Sequence, residues 1–215
     1  MELKEYIDHT QLKPTATPQM IEDLCKEAAT NNFYAVCVNG CHVTAAKKHL
    51  KNTSVKIAAV VGFPLGAMST EAKIAEAKIC IENGADEVDM VINIGWLKAK
   101  EYDAVENDIQ QIKEAIGNKV LKVIIETCYL TDDEKRIACQ LALNAKADFV
   151  KTSTGFGSGG ATLHDVGLMK EVVEDKAKIK ASGGIRDYAT AIQYIEKGVS
   201  RIGTSSGIAI VNSKK

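Results

Sequence analysis

Short runs of aliphatic and β-branched residues alternate along the chain with longer segments in which apolar residues recur at helical spacing. The short runs predict strands and the longer segments predict helices. The predicted strands begin 22 to 34 residues apart and cover residues 6–10, 34–38, 56–61, 87–92, 121–126, 149–151, 178–181 and 201–203. The pattern is that of repeated βα units.

Helix starts fall in the gaps between the predicted strands. Thr17 precedes Pro18, which combines an N-cap residue with proline at the first helical position. Ser69 or Thr70 can cap the next long helical segment, and Asn83-Gly84 can end it. Thr131 opens a T-x-x-E capping box. Strand and helix therefore alternate without a linker or a low-complexity segment.

Eight βα units in 215 residues predict an α/β fold, namely a (β/α)8 TIM barrel that forms a single domain over residues 1–215. An open, doubly wound sheet would show the same local pattern. The barrel is favoured because no G-x-G-x-x-G turn follows the first strand and because polar residues end many different strands. Residues 6–10 are the weakest strand, since this run is polar and could be a loop.

Charge and hydropathy narrow the class of partner. The chain has 27 Lys plus Arg against 28 Asp plus Glu, and its basic runs are short. This balance argues against nucleic acid and against an anionic membrane surface. No apolar stretch approaches the roughly 20 residues of a membrane-spanning helix. We expect a small-molecule partner.

The cysteines argue for a reducing compartment. All six are scattered, none forms a C-x-x-C motif, and no secretory segment is recognisable at the start. We therefore expect a cytoplasmic protein. Cys37, Cys41 and His42 could form the corner of a metal site, but no second ligand cluster accompanies them, so we expect neither a metal nor a cofactor.

Strand alternation turns charged residues toward the interior of the predicted barrel. Val88 and Met90 share the apolar face of their strand, which leaves Asp89 facing inward. The same parity turns Lys151 and Lys180 inward. Barrel interiors are usually filled by Val, Ile and Leu, so charges near the carboxyl ends of the strands predict an active site. Three further charged residues are expected at the solvated lower rim or in structural ion pairs: Lys122, Lys178 and Glu87.

The two inward lysines suggest the chemistry. If Lys151 and Lys180 lie on adjacent strands, their ammonium groups repel each other, and one amine can become neutral near pH 7, which needs a pKa shift of roughly 3.4 units. A neutral lysine can attack an aldehyde to form a Schiff base, while Asp89 and the other lysine relay protons. Parity does not decide which lysine is the nucleophile. Weaker candidates near the same rim are Asp8, Thr10, Glu126, Thr152 and Cys37, the last more simply a buried structural thiol.

Three clusters of glycine and hydroxyl residues follow the last three predicted strands, at 154–160, 182–184 and 203–207. Loops at these positions of a barrel often bind phosphate, because glycine lets backbone N–H groups approach the anion closely. The clusters together predict a phosphorylated substrate. Arg186 follows the second cluster and could add charge or lie on the surface.

Several motifs resemble those of the deoxyribose-phosphate aldolase family. They are 149–156 (FVKTSTGF), 87–89 (EVD), 62–66 (GFPLG), 180–186 (KASGGIR) and 6–10 (YIDHT), and they span essentially the whole chain. The first and fourth, in this order and spacing, are highly specific. The resemblance implies a TIM-barrel class I aldolase without metal or organic cofactor. Such an enzyme reversibly splits 2-deoxy-D-ribose 5-phosphate into D-glyceraldehyde 3-phosphate and acetaldehyde, in deoxyribose phosphate catabolism.

The resemblance also implies residue roles. Lys151 matches the Schiff-base nucleophile, Lys180 the second lysine that lowers its neighbour's pKa and shares in proton transfer, Asp89 the acid/base carboxylate, and Asp8 a supporting carboxylate. The positions implied for the substrate phosphate are Gly155, Gly183, Gly184, Ser205 and Ser206.

The chain departs from the family pattern in two places. Phe156 stands where some members carry a basic residue, so phosphate affinity is expected to differ. Some members end in a tyrosine that assists proton exchange, whereas this sequence ends in VNSKK, so enamine protonation is expected to differ in rate. A homodimer is expected from base rates alone.

Two other functions remain open from the residues. A phosphosugar isomerase or epimerase would share the phosphate site but would leave two interior lysines unexplained. A barrel that senses phosphosugars without catalysis would retain buried charges that cost stability.

Overall fold

The computed structural model describes residues 2–213 and contains a closed barrel of eight parallel strands in chain order. The strands are β1 Ile7–Gln11, β2 Ala35–Asn39, β3 Lys56–Val61, β4 Glu87–Val91, β5 Val120–Ile124, β6 Phe149–Lys151, β7 Lys178–Ser182 and β8 Arg201–Thr204. The barrel closes where β8 pairs with β1, with Asp8 opposite Gly203. The predicted (β/α)8 barrel is confirmed, and the open sheet is excluded.

Strand limits differ from the prediction mainly at two ends. Tyr6 belongs to a 3₁₀-helix, Leu3–Tyr6, and β1 begins one residue later. This polar run is nevertheless a strand, because its inward carboxylate, Asp8, is paired with cations inside the barrel. β5 ends at Ile124, because the backbone turns into the left-handed region at Glu126, with φ of 55°. The predicted strand 121–126 is therefore two residues too long at its carboxyl end.

Helices cover the outside of the barrel, and three of them begin at the predicted caps. They are α1 Pro18–Asn31, α2 Val43–His49, α3 Thr70–Glu82, α4 Ile94–Lys98, α5 Tyr102–Ile116, α6 Asp132–Asn144, α7 Leu163–Val173, α8 Tyr188–Glu196 and α9 Gly207–Asn212. Thr17 caps α1 and Ser69 caps α3, each accepting a backbone N–H. Thr131 and Glu134 complete both bonds of the capping box at α6. Across residues 2–213, no helix combines the length and the apolar character needed to cross a membrane.

The apolar core has two layers. The larger lies between strands and helices and takes the outward residues of each strand, including Val88 and Met90. The smaller lies inside the barrel, where Leu12, Cys37, Ala58 and Val60 pack together with Phe63 against them. Asp89 pairs in register with Val60 of β3 and therefore faces the same interior, as parity predicts.

Candidate active site

Three charged residues predicted for the active site meet inside the upper part of the barrel. Lys151 ends β6, Lys180 lies opposite it on β7, and Asp89 lies on β4. Their exposed fractions are 2%, 1% and 0%. Charges this deeply buried require partners, and each finds one in the others.

Asp89 is the common acceptor of three lysines. Its Oδ2 accepts hydrogen bonds from Lys151 Nζ at 2.9 Å and from Lys180 Nζ at 2.8 Å. Its Oδ1 accepts one from Lys122 Nζ at 2.7 Å. Burial alone would raise the pKa of Asp89, but the three ammonium groups outweigh it and hold the pKa well below its usual range. Asp89 is therefore ionised at neutral pH.

The two facing lysines do not simply repel each other, because a carboxylate lies between them. Lys180 also contacts Asp8. Burial lowers the pKa of Lys180, yet Asp8 and Asp89 together raise it above the ordinary lysine value. Lys180 is therefore a cation at neutral pH.

The predicted lower-rim charges separate into two groups. Lys178 begins β7 and is exposed, as predicted for the rim. Lys122 and Glu87 are buried, so a solvated position is wrong for both, and the ion-pair alternative is confirmed by an Nζ to Oε2 distance of 2.6 Å. Arg201 was missed, although the outward position of Ile202 on β8 was a signal that Arg201 faces inward.

A cavity of about 380 Å³ opens above Lys151 at the carboxyl ends of the strands. Its wall comes from the loops after β1, β6, β7 and β8, and it includes all the residues predicted for the phosphate: Gly155, Gly183, Gly184, Ser205 and Ser206. Arg186 also lines the cavity and is exposed, as expected for a surface position. Lys13, an exposed cation after β1, lines the same cavity and was not predicted.

Two glycines fix the shape of the cavity wall. Gly183 has a φ of 89°, and a Cβ there would lie 2.8 Å from Gly160 Cα, so the loops after β6 and β7 touch through their backbones. Gly203 faces the interior, where a Cβ would lie 2.3 Å from Ser182 Oγ and 3.1 Å from Lys180 Cε. The missing side chain at position 203 makes room for the lysine beside it.

Phe156 on the wall of the cavity belongs to an aromatic pair. Phe156, which follows β6, meets Phe63, which follows β3, edge to face with 5.3 Å between ring centroids. Phe156 lines the cavity, and Phe63 packs on the small apolar cluster inside the barrel. Phe156 thus places an apolar ring at the position where some members of the deoxyribose-phosphate aldolase family carry a basic residue.

The weaker candidates lie nearby, with other contacts. Thr10 lines the cavity. Thr152 exchanges hydrogen bonds with the backbone of Ser182. Glu126 accepts from the backbone N of Thr154 at 3.2 Å and holds the start of the loop after β6. Cys37 is fully buried, and burial raises the pKa of its thiol, which fits a structural thiol.

Metal ligands do not gather within the described part of the chain: no group of three or more His, Cys, Asp or Glu side chains is arranged to hold an ion. Cys41 of the imagined metal corner is exposed, whereas Cys37 is buried on β2. All six cysteines are free. Lys214 and Lys215, which end the tail discussed above, and Met1 lie outside the described residues.

Comparison with known proteins gives consistent matches. Residues 4–213 match the family model described as DeoC/LacD family aldolase. The deoxyribose-phosphate aldolase of Finegoldia magna is 59% identical over 211 residues, covering 98% of this chain and 99% of that protein. That of Thermococcus kodakarensis is 58% identical over 215 residues, covering 98% and 96%. A solved structure described as QR15, an aldolase, superposes with a TM-score of 0.95 at 42% identity and covers 99% of this chain and 95% of its own.

Proposed function

Because this chain belongs to the DeoC/LacD family of aldolases, we propose that it is a class I aldolase that reversibly cleaves 2-deoxy-D-ribose 5-phosphate into D-glyceraldehyde 3-phosphate and acetaldehyde. The reaction would serve deoxyribose phosphate catabolism. One observation carries the proposal. A lysine amine, Lys151 Nζ, borders the cavity and shares a single carboxylate oxygen with a second lysine.

Lys151 is the better nucleophile of the two lysines. Lys180 is held by two carboxylates, Asp8 and Asp89, and does not line the cavity. Lys151 has one carboxylate partner, Asp89, which it shares with Lys180. When the amine of Lys151 moves away, Asp89 therefore keeps its salt bridge to Lys180. A nucleophilic amine has to be unprotonated when it attacks. These contacts support Lys151 as nucleophile and Lys180 as the protonated partner in the free protein.

The proposed cleavage begins when neutral Lys151 adds to the C1 aldehyde of the open-chain sugar. The carbinolamine loses water to give a protonated imine, and Lys180, which Asp89 holds in place, supplies the proton that leaves with the water. The C3 hydroxyl then gives its proton to Lys180, which the previous step left neutral, and the C2–C3 bond breaks; Lys180 can return this proton to C2 of the enamine. The bonding pair moves into the imine to form an enamine, and glyceraldehyde 3-phosphate leaves. Protonation of the enamine at C2, followed by hydrolysis of the imine, releases acetaldehyde and regenerates Lys151.

The rim of the cavity suits the phosphate end of the substrate. Gly155, Gly183, Gly184, Ser205 and Ser206 offer backbone N–H groups and hydroxyls, and Arg186 and Lys13 add positive charge. Lys151 lies deeper in the same cavity. A chain of five carbons would thus be anchored at the rim by its phosphate, with its aldehyde directed at the amine.

An isomerase or epimerase remains less well supported. Those reactions need a carboxylate free to accept a proton from carbon, or a metal. Asp89 is engaged by three lysines and its pKa is held low, which makes it a poor base in the absence of substrate.

Assembly and compartment remain predictions. We propose a homodimer, from base rates, and light scattering of the purified protein would test it. Six free thiols fit a reducing compartment, which supports the cytoplasm.

Reductive trapping tests the proposed function. The protein is incubated with acetaldehyde and borohydride and digested, and the modified residue is located by mass spectrometry. We expect one ethyl group on Lys151, and none in Lys151→Arg, which keeps a cation at the site. Cleavage of deoxyribose 5-phosphate is measured in parallel. An unmodified Lys151 in an active protein would contradict the mechanism, and a trapped Lys151 without cleavage of this sugar would contradict the substrate.

A further inference from the structure

Six buried side chains inside the barrel form a closed ring in which positive and negative charges alternate. Each member forms a salt bridge with the member on either side. In order, the ring runs through Asp89, Lys122, Glu87, Arg201, Asp8 and Lys180, and then returns to Asp89. Its members come from β1, β4, β5, β7 and β8.

Glu87 and Arg201 close the lower half of this ring, away from the cavity. Glu87 accepts two hydrogen bonds from the guanidinium of Arg201, at 3.3 and 3.0 Å, in a forked geometry. Arg201 Nε donates to Asp8 at 2.6 Å. The guanidinium also stacks on Tyr34, 3.5 Å from its ring centroid. Neither Glu87 nor Arg201 lines the cavity, so neither is expected to touch a substrate.

The ring is balanced by itself, since three cations face three carboxylates. Lys151 stands outside it. Among the described residues, Asp89 is the one carboxylate within salt-bridge distance of Lys151 Nζ, and Asp89 already belongs to the ring. A proton on Lys151 would therefore create a fourth cation against three carboxylates in a buried site, which is unfavourable.

We propose that Glu87 and Arg201 are positioning residues that govern the protonation of Lys151 by completing this charge-balanced ring. The inference rests on the proposed Schiff-base function of Lys151. It extends the electrostatic partnership of the two lysines to residues on the far side of the barrel. The net charge of the ring, rather than Lys180 alone, decides how readily Lys151 accepts a proton.

Other titratable groups around Lys151 do not alter the comparison. Cys37 on β2 stays neutral at physiological pH because burial raises the pKa of its thiol. Glu126, beyond β5, is bonded to Thr154 and lies outside the ring. Of the ring members, Asp89 on β4 contacts Lys151 and Lys180 on β7 pairs with it in register, while Lys122 on β5 and Asp8 on β1 are the next members along the ring. All these groups are unchanged in the variants below, so differences between variants report the charge of the ring.

The proposal predicts opposite effects from its two residues. Glu87→Gln leaves three ring cations and two carboxylates, so a proton on Lys151 becomes still less favourable. The acidic limb of the kcat/KM profile should then move to lower pH by about one unit, the order of a Coulomb interaction across a few side chains. Arg201→Met leaves two cations and three carboxylates, so Lys151 should hold its proton and the same limb should move up by about one unit.

Three controls separate this effect from structural damage. Arg201→Lys keeps the charge and loses the fork, so its acidic limb should stay near that of the wild type. The double variant Glu87→Gln/Arg201→Met is balanced again, with two cations and two carboxylates, and its limb should return toward the wild-type pH. Circular dichroism and thermal melting establish that each variant is folded.

The outcomes separate this inference from the proposed function. Failure to trap Lys151 in the wild type would overturn the Schiff-base function itself. Trapping in the wild type, combined with limbs that do not move or that move in the same direction in the two single variants, would overturn the ring. If Arg201→Met does not fold, Glu87→Gln alone decides, because its limb has to move to lower pH.

Discussion

The barrel interior consists of two unlike halves. The apolar half, on β2 and β3, presents Cys37, Ala58 and Val60. The charged half, on β4 to β8 and β1, presents the ring and Lys151. Val60 and Asp89 mark the border, since they pair in register on neighbouring strands. One wall of the site therefore contributes volume and dryness, and the other contributes charge.

The contrast explains how so many charges can be buried usefully. An apolar wall keeps water away and lowers the local dielectric, which strengthens each ion pair and raises the cost of any unpaired charge. The charged half therefore tolerates little change in its charge count. Substitutions that change the shape of side chains in the apolar half should lower the stability of the protein and have little effect on its activity.

The largest effect is expected from replacing Asp89, the charged residue at the border between the two halves. Asp89→Asn leaves three lysines around a neutral amide, so activity should fall by about 10³-fold and the free energy of unfolding by about 3–5 kcal/mol. Val60→Ala, at the paired position, should cost about 2 kcal/mol of stability and leave activity within a few-fold. Urea unfolding and a cleavage assay measure both. Equal losses of activity in the two variants would contradict the division.

A smaller effect is expected on the stability of the protein at acidic pH. Burial would raise the pKa of Asp8, but Arg201 and Lys180 lower it to about 2. A depressed pKa in the folded state gives stability that is fully present above about pH 4 and is lost as the pH falls through about 2. At low pH protonated Asp8 carries the same charge as asparagine, so the stability difference between wild type and Asp8→Asn should narrow by about 1 kcal/mol between pH 6 and pH 3.

Chemical unfolding of both proteins at several pH values tests this expectation for Asp8. Val60→Ala serves as the control from the apolar half, because its stability difference from the wild type should not depend on pH. A constant difference for Asp8→Asn would mean that Asp8 keeps an ordinary carboxyl pKa in the folded protein.

The smallest effect should come from the aromatic contact between Phe63 and Phe156, which joins the two halves. Phe63 belongs to the apolar side, and Phe156 follows β6 on the charged side. An edge-to-face pair of this kind contributes about 0.5–1.5 kcal/mol. A double-mutant cycle with Phe63→Leu and Phe156→Leu should give a coupling energy in that range. A coupling near zero would show that the two rings meet without stabilising each other.

The sequence predicted the parts of this site that depend on local order. Alternation along a strand was enough to turn Asp89, Lys151 and Lys180 inward, and glycine with hydroxyl residues marked the loops of the cavity. Capping residues located α1, α3 and α6 for the same reason, since each signal lies within a few residues of its effect.

The features of the site that the sequence did not predict depend on the closure of the barrel. Arg201 meets Asp8 only because β8 pairs with β1, which brings together residues from opposite ends of the chain. The charge balance of the ring is a property of five strands and cannot be read from any one of them. The strand predicted over 121–126 was too long because the backbone leaves the strand conformation at Glu126.

Gly203 sets a limit for anyone who would redesign this enzyme. A methyl group at that position would already collide with Ser182 and crowd the stem of Lys180. Most substitutions at Gly203 in a mutant library would therefore be incompatible with the fold, because this position in the cavity wall has no spare volume. Phe156 is 48% exposed at the rim and can be exchanged for larger or smaller groups. Variants with a new substrate range should therefore be sought first by substitutions at the rim of the cavity, such as at Phe156.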